Sequence, residues 1–266
     1  MAETSAPTPP PTDPTLLHRY HHFSPATDPL LASLSPNSTT ESEDPITGET
    51  VLQLNPNVHL VRHPIISAKL TALRSTAASP KTFREGVRDI SLFLAFEASS
   101  DLPTFQIPIQ TPITQTTGAL LASRIGVVPI LRAGMGMTEG LLQLFQDANV
   151  FHIGLFRERE TLQPVEYYSK LPENVEVDLV YIVDPLIATG GTACAAITMI
   201  AEWGVLIENI RYLAVLASAP GLERIHSEFP DLHIWVAAVD PGLTEEGLIT
   251  PGLGDTGDRM FNTMRP

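Results

Sequence analysis

The segment Asp178–Thr192 constrains the fold of this chain more than any other part of the sequence. An apolar, β-branched run ends in Asp184, and a loop with two adjacent glycines then leads into Cys194–Trp203, whose composition suits a helix. A buried strand followed by a helix is the unit of parallel sheets, and ligands bind beyond the carboxyl ends of such strands. We therefore expect Asp184 to face a binding site.

The loop after Asp184 has the composition of an anion-binding loop. Gly190 and Gly191 permit a close approach of the backbone to a ligand, and Thr189 and Thr192 add hydroxyl groups. The N–H groups at the start of the following helix suit a phosphate. The GxxxxGK[ST] pattern of nucleoside triphosphatases is missing, so the acid favours a sugar diol or a bound Mg²⁺. These are the parts of a phosphorylated ribose, although ordinary turns also have this pattern.

Further apolar runs alternate with helical segments. Strands are predicted at Ile125–Leu131, Phe151–Phe156, Ile210–Ala217 and His233–Val239. Strands that alternate with helices are typical of α/β proteins. The predicted fold is therefore α/β, with a parallel twisted sheet that carries helices on both faces.

Two of the predicted strands are followed by an arginine. Arg132 follows the first strand and Arg157 the second, so both cations are candidates for binding an anionic ligand at one edge of the sheet. Gly134, Gly136 and Gly140 form a degenerate dinucleotide fingerprint, which is weak support on its own. A surface salt bridge is the alternative role for Arg132.

The region before these strands is predicted to be mainly helical. Helical spacing extends over Ile65–Ser75 and Thr82–Glu97, and Ser79 followed by Pro80 is a helix start signal. These helices are expected to form a hairpin that packs on the domain or on a second subunit. The proline-containing alternation of Phe105–Thr117 favours edge or hairpin strands, and hence a β-rich hood or arm.

Composition divides the 266 residues into a leader and one domain. Residues 1–56 are rich in proline and contain seven acidic residues against one base, so we predict a disordered or loosely packed leader. Residues 57–266 have the usual size of a single α/β domain. Within it, the polar segment 157–174 is predicted to be a lid or arm. The glycine- and proline-rich segment 240–266 predicts a shaped loop, with a frayed terminus as the alternative.

Charge and cysteine content exclude several functions. The formal net charge is −14, and no cluster of Lys and Arg indicates a nucleic-acid partner. The single cysteine, Cys194, excludes an intrachain disulfide and fits a reducing compartment. No apolar run approaches the ~18 residues that a membrane span needs, and the leader lacks a signal-peptide core. We therefore expect a cytoplasmic protein with no membrane partner.

Six segments between about His63 and Phe261 resemble the uracil phosphoribosyltransferase family. They read HPIISAKLTALR, FREGVRDISLFLAFEA, VVPILRAGMGM, FRERETLQPV, YIVDPLIATGGT and GLITPGLGDTGDRMF. The last two segments, together and in this order, are highly specific to the family. The resemblance implies a phosphoribosyltransferase fold and the transfer of a phosphoribosyl group from phosphoribosyl pyrophosphate to uracil, which yields UMP and pyrophosphate. Asp184-Pro185 is similar to uracil enzymes, since other classes usually have two adjacent acids before the loop.

The resemblance also implies the roles of individual residues. Asp184, Arg132 and Arg157 would be the catalytic residues. Phosphoribosyl pyrophosphate would be bound by Arg132, Arg157, Asp184, Pro185, Leu186, Ile187, Ala188, Thr189, Gly190, Gly191, Thr192 and Asp255. Uracil would be bound by Ile249, Gly254, Asp255 and Thr256. Asp255 would also face Mg²⁺. The family commonly has an aromatic residue at the position of Leu248 and an aliphatic one at Thr250, so both positions depart from the pattern.

The implied partners are uracil and phosphoribosyl pyrophosphate, with Mg²⁺ as the cofactor. GTP as an activator and assembly into a homodimer or homotetramer are also suggested by the resemblance. Two other hypotheses stay open. The chain could be a non-catalytic regulator or binding module with this fold, or a related transferase specific for another base, such as a purine.

Overall fold

The computed structural model describes residues 55–157 and 164–263, without the side chains of Arg157 and Pro164. These residues belong to one compact unit, Pro45–Pro266. The predicted leader, apart from its last two residues, lies outside the described part, as do residues 158–163 of the predicted lid and residues 264–266.

Thirteen strands and six α-helices are found among the described residues. The strands are β1 (Val58–Leu60), β2 (Thr104–Gln110), β3 (Gln115–Leu121), β4 (Ile125–Leu131), β5 (Asn149–Val150), β6 (Ile153–Arg157), β7 (Pro164–Ser169), β8 (Leu179–Val183), β9 (Leu186–Ile187), β10 (Ile210–Ser218), β11 (His233–Asp240), β12 (Gly242–Leu243) and β13 (Ile249–Thr250). The helices are α1 (Pro64–Arg74), α2 (Pro80–Glu97), α3 (Met135–Leu142), α4 (Gly191–Trp203), α5 (Ala219–Glu228) and α6 (Thr256–Phe261).

Nine of the strands form the central sheet. Its main path runs β1-β11-β10-β8-β4-β6-β7, with β5 beside β4 and β9 beside β10. Each of these pairs is parallel except β6 with β7, which is antiparallel. The predicted parallel sheet is confirmed.

Helices cover both faces of the sheet, as predicted. In β8, Val180 and Ile182 pack into a core that α4 and α5 share, whereas Tyr181 and Val183 pack into the opposite core with α1, α2 and α3. This alternation follows from the period of two in a strand, which sends successive side chains to opposite faces. Because both faces are covered, β8 is apolar throughout.

The predicted helical hairpin is confirmed and packs on its own domain. The side chain of Ser79 accepts a hydrogen bond from the N–H group of Thr82 at 3.1 Å, and Pro80 occupies the first turn of α2. Phe83, Val87, Ile90 and Leu94 form the buried stripe of α2 against the sheet. The predicted strands in Phe105–Thr117 belong to an antiparallel hairpin, β2 with β3, which is separate from the central sheet.

Two segments that were expected to be loops contain regular secondary structure. Residues Pro164–Ser169 of the predicted lid form β7, because Val165, Tyr167 and Tyr168 favour an extended chain that can pair with β6. The C-terminal segment contains helix α6, which had not been predicted. Among residues 55–157 and 164–263, no helix is long and apolar enough to span a membrane.

Candidate active site

The carboxyl ends of three neighbouring strands place the predicted residues at one edge of the sheet. Strands β8, β4 and β6 are adjacent and parallel, so Asp184, Arg132 and Arg157 all follow or close a strand at the same edge. Arg157 is the last residue of β6, but its side chain lies outside the described part. The peptide bond between Leu131 and Arg132 is cis.

Asp184 has an unusual electrostatic environment. Burial raises the pKa of its carboxyl group to about 7, a backbone hydrogen bond from Leu186 opposes the shift, and the charge of Asp255 adds to it. Asp184 therefore interacts with a second carboxyl group that comes from the C-terminal segment. A cation between two such groups would relieve their repulsion and favour ionisation of Asp184.

The loop from Asp184 to Thr192 encloses a small cavity of about 180 Å³. Its lining comes from Asp184, Leu186, Ile187, Ala188, Thr189, Gly190, Thr192 and Ala193. Gly190 has a φ of 76°, in the left-handed region where glycine is favoured, and it immediately precedes helix α4. Gly190 is the N-cap residue and has no side chain with which to cap the helix, so the first N–H groups of α4 can donate hydrogen bonds to an anion in the cavity.

The N-terminus of α5 is hydrogen-bonded to this loop through Ser218. Ser218 caps α5 by accepting a hydrogen bond from the N–H group of Gly221 at 2.9 Å, and its hydroxyl donates to the carbonyl oxygen of Ala188 at 2.5 Å. One side chain thus fixes both a helix end and the loop, a role that the sequence pattern did not reveal.

A second cavity of about 520 Å³ adjoins the loop through Leu186, which lines both cavities. The C-terminal segment, the end of β4 and the β6–β7 hairpin all contribute to it. The lining residues are Leu131, Arg132, Ala133, Leu155, Phe156, Tyr167, Leu186, Leu248, Gly254, Asp255, Thr256 and Gly257. Of this set, Arg132, Leu186, Gly254, Asp255 and Thr256 were predicted from the sequence to bind ligands, whereas Phe156 and Tyr167 were not.

Arg132 is positioned by the C-terminal segment. Its Nη2 donates a hydrogen bond to Asp258 Oδ1 at 3.0 Å, and its Nη1 donates to Thr263 Oγ1 at 3.2 Å. The Arg132 side chain nevertheless keeps 53% of its surface exposed, so part of the guanidinium is accessible from the cavity. Arg132 therefore forms the salt bridge of the alternative hypothesis and also lines the candidate site, while its role in ligand binding stays a prediction.

The residues predicted to bind uracil occupy different environments. Asp255 caps α6 by accepting a hydrogen bond from the N–H group of Asp258 at 2.9 Å, and it stays exposed in the larger cavity. Gly254 and Thr256 flank it and line the same cavity. The Ile249 side chain is 7% exposed and packs in the core, so only its backbone is suited to a ligand contact.

Two arginines outside the predicted set hold the C-terminal segment in place. Arg74 forms a bidentate ion pair with Asp240, with N–O distances of 2.6 and 2.8 Å. Asp240 also accepts a hydrogen bond from the N–H group of Gly252 at 2.8 Å. Arg259 donates to the carbonyl oxygens of Leu73, Ser75 and Leu253 and lies 4.3 Å from the ring centre of Phe83. The glycine-rich segment is therefore a fixed wall of the site.

The donor set fits a magnesium ion that is held jointly with a ligand. Among the described residues, no group of three or more His, Cys, Asp or Glu side chains is arranged to hold a metal. Mg²⁺ commonly takes only one or two carboxylates from a protein when phosphate groups supply other ligands. Asp184 and Asp255, whose charges interact, meet this requirement.

Comparisons with known proteins agree with this geometry. A sequence model of the family described as uracil phosphoribosyltransferase matches residues 60–263. The uracil phosphoribosyltransferases of Roseiflexus sp. (strain RS-1) and Bacillus licheniformis are 47% and 44% identical to the chain, covering 77% of it and 98% of each relative. The solved structure of the AQ2163 protein from Aquifex aeolicus has a TM-score of 0.72 and 35% identity, over 77% of this chain and 97% of that one. The chain therefore belongs to the uracil phosphoribosyltransferase family.

Proposed function

We propose that this protein joins uracil to phosphoribosyl pyrophosphate, releasing pyrophosphate and forming UMP, as an enzyme of pyrimidine salvage. The observation that carries the proposal is the pair of adjoining cavities. One is a phosphate-sized cavity at the start of α4, and the other is a larger cavity with Arg132 and Asp255 in its wall. The family membership supports the same activity.

The smaller cavity is suited to the 5-phosphate of the ribose. Backbone N–H groups at Gly190, Gly191 and Thr192 provide donors, and the helix dipole of α4 favours negative charge there. Asp184, at the entrance to this loop, is positioned to accept hydrogen bonds from the ribose hydroxyls. Pro185, Leu186, Ile187, Ala188 and Thr189 complete the backbone that surrounds the sugar phosphate.

Departure of pyrophosphate leaves positive charge on the ribose ring, as in glycoside cleavage. Catalysis then depends on orientation and on the stabilisation of developing charges, with no need for a covalent nucleophile. Arg132 would stabilise the negative charge of the leaving group, and we propose the same role for Arg157. Bound Mg²⁺, held by Asp255 and Asp184, would neutralise charge on the pyrophosphate oxygens.

The larger cavity is suited to uracil. The O2, N3 and O4 edge of uracil presents an acceptor, a donor and an acceptor, which the backbone groups of a fixed loop can pair with. We propose that Gly254, Asp255, Thr256 and the backbone of Ile249 form this loop. Cytosine would leave one buried donor opposite its amino group, and an unmade hydrogen bond of this kind costs about 1–3 kcal/mol, or about 5- to 150-fold in preference.

The experiment is a direct assay of the pure protein with uracil, phosphoribosyl pyrophosphate and Mg²⁺. We expect UMP and pyrophosphate in equal amounts, with uracil preferred over hypoxanthine in competition. Arg132→Ala should reduce turnover strongly, whereas Arg124→Ala, which removes an arginine before the other end of β4, should leave it intact. Binding of the substrates without formation of UMP would instead support a non-catalytic binding module.

Several finer predictions go with the proposal. We propose that the enzyme is cytoplasmic and forms a homodimer or homotetramer, which light scattering can measure. Activation by GTP stays a prediction that the same assay tests. The proposed domain division, with residues 57–266 as the catalytic domain, predicts that a chain without residues 1–56 keeps its activity.

A further inference from the structure

A β-bulge in the β6–β7 hairpin changes the direction of one tyrosine side chain. Gly154 pairs with Tyr168, but the next residue, Leu155, pairs with Glu166, so Tyr167 has no partner in the ladder. Bulges of this kind are common beside active sites, where they redirect a side chain. Here the redirected side chain is that of Tyr167, which lines the larger cavity, whereas Tyr168 does not.

The glycine opposite the bulge leaves space for the tyrosine ring. A Cβ atom on Gly154 would lie 2.6 Å from Cζ of Tyr167 and 2.8 and 2.9 Å from its two Cε atoms. The ring of Tyr167 therefore lies directly against the backbone of Gly154. Because this backbone belongs to β6, which is paired with β4 on one side and β7 on the other, it gives the ring a rigid support on one side.

The other side of the ring is available to a ligand. Tyr167 is 53% exposed and Phe156 is 48% exposed, and their ring centres are 6.1 Å apart. They are the only aromatic residues in the described lining of the cavity, which also includes Leu248, Gly254 and Asp255 of the C-terminal segment. A cavity that is lined by two large exposed aromatic side chains and by a polar loop suits a flat ring with a polar edge.

We infer that Tyr167 is a uracil-binding residue that contacts the face of the base, while the C-terminal loop contacts its edge. The inference rests on the proposed function and adds a specificity element from the β6–β7 hairpin to it. Stacking of a base on an aromatic side chain is sequence-tolerant in itself, so Tyr167 supplies affinity and orientation while the loop selects the base.

The test compares ligands with and without a base, using the full-length protein. UMP contains the base and phosphoribosyl pyrophosphate does not, so calorimetry with each ligand separates the two parts of the site. Tyr167→Ala should weaken UMP binding by roughly 5- to 150-fold and leave phosphoribosyl pyrophosphate binding within about 2-fold. The KM for uracil should rise correspondingly. Tyr167→Phe should behave like the wild type, and Tyr168→Ala is the matched control on the same strand.

A third substitution at Tyr167 covers the case in which Tyr167→Ala does not fold. Tyr167→Leu keeps an apolar side chain against Gly154 but removes the aromatic ring, and we expect it to weaken UMP binding as well. Unchanged UMP binding in Tyr167→Leu would overturn the inference, as would equal losses for UMP and phosphoribosyl pyrophosphate. These binding results stand apart from the proposed function, which fails only if the wild type forms no UMP.

Discussion

Replacing Asp184 by asparagine should make the ligand-free protein more stable at alkaline pH. Burial and the charge of Asp255 raise the pKa of the Asp184 carboxyl group from 3.8 to about 7 in the folded protein. Between about pH 4 and pH 7, the folded protein therefore holds a proton that the unfolded chain has lost. Stability falls as the pH rises through this interval, because the folded state binds more protons. Below about pH 4 the Asp184 carboxyl group is protonated in both the folded and the unfolded state, so it no longer reduces the stability of the fold.

The size of the effect follows from the shift. A rise from 3.8 to about 7 is about 3 pKa units, or ~4 kcal/mol at about 1.4 kcal/mol per unit. The carboxyl group keeps some contact with solvent, so we expect about 2 kcal/mol. Asparagine has nearly the same shape and no charge. Asp184→Asn should therefore match the wild type at pH 4 and exceed its free energy of unfolding by about 2 kcal/mol at pH 8.

The assay is urea denaturation of both proteins at pH 4 and pH 8. Groups that do not interact with Asp184 contribute equally in the two proteins, so the difference between them reports on Asp184 and the charges around it. The control is Asp231→Asn, which makes the same chemical change at an exposed residue after α5. If Asp184→Asn gave a difference from the wild type that did not depend on pH, the electrostatic account of Asp184 would be refuted. Mg²⁺ with phosphoribosyl pyrophosphate should stabilise the wild type far more than Asp184→Asn.

Three further substitutions test other parts of the site. Arg74→Ala leaves the buried carboxylate of Asp240 without its cation and should lower the free energy of unfolding by about 3 kcal/mol, measured in urea. Ser218→Ala removes a helix cap and a support of the phosphate loop, so it should cost about 1 kcal/mol and raise the KM for phosphoribosyl pyrophosphate more than that for uracil. Gly154→Ala should displace the ring of Tyr167 and weaken UMP binding with little change in helix content by circular dichroism.

Each of these changes has a matched control. Lys81→Ala breaks an exposed ion pair at 3.9 Å and should change stability by less than about 0.5 kcal/mol. Ser79→Ala removes the cap of α2, away from the loop, and should lower stability without changing either KM. Gly118→Ala places a methyl group in the separate hairpin, where the nearest atom is the flexible end of Ile109 at 3.1 Å. A control with the same effect as its partner would contradict the corresponding role.

The sheet and its ligand-binding edge could be predicted because they depend on local pattern. The apolar run before Asp184 is buried on both faces, so its β-branched composition already indicates a central parallel strand. The rule that ligands lie beyond the carboxyl ends of such strands then places Asp184, Arg132 and Arg157 together. Their meeting at one edge is confirmed by the adjacent order of β8, β4 and β6.

The packing of the C-terminal segment could not be predicted in the same way. Arg259 contacts Phe83 and three carbonyl oxygens, two of which lie more than 180 residues away in sequence, and no local pattern identifies such partners. Helix α6 did have a local signal. Asp255 caps the helix and Asp258 stands three residues later, an arrangement close to a capping box, but the surrounding glycines favoured a loop.

The ligand-free site combines features that reduce stability and suit ligand binding. Asp184 is held where ionisation is unfavourable, and Phe156 and Tyr167 expose about half of their surfaces to water. A bound cation would favour the charged form of Asp184, and a base would cover the aromatic rings. The burial of Asp184 and the exposure of the two rings both reduce the stability of the protein without ligands. Each of them would instead favour the binding of one part of the substrates. Asp184 and Tyr167 should therefore respond to different ligands, the first to Mg²⁺ with phosphoribosyl pyrophosphate and the second to the base.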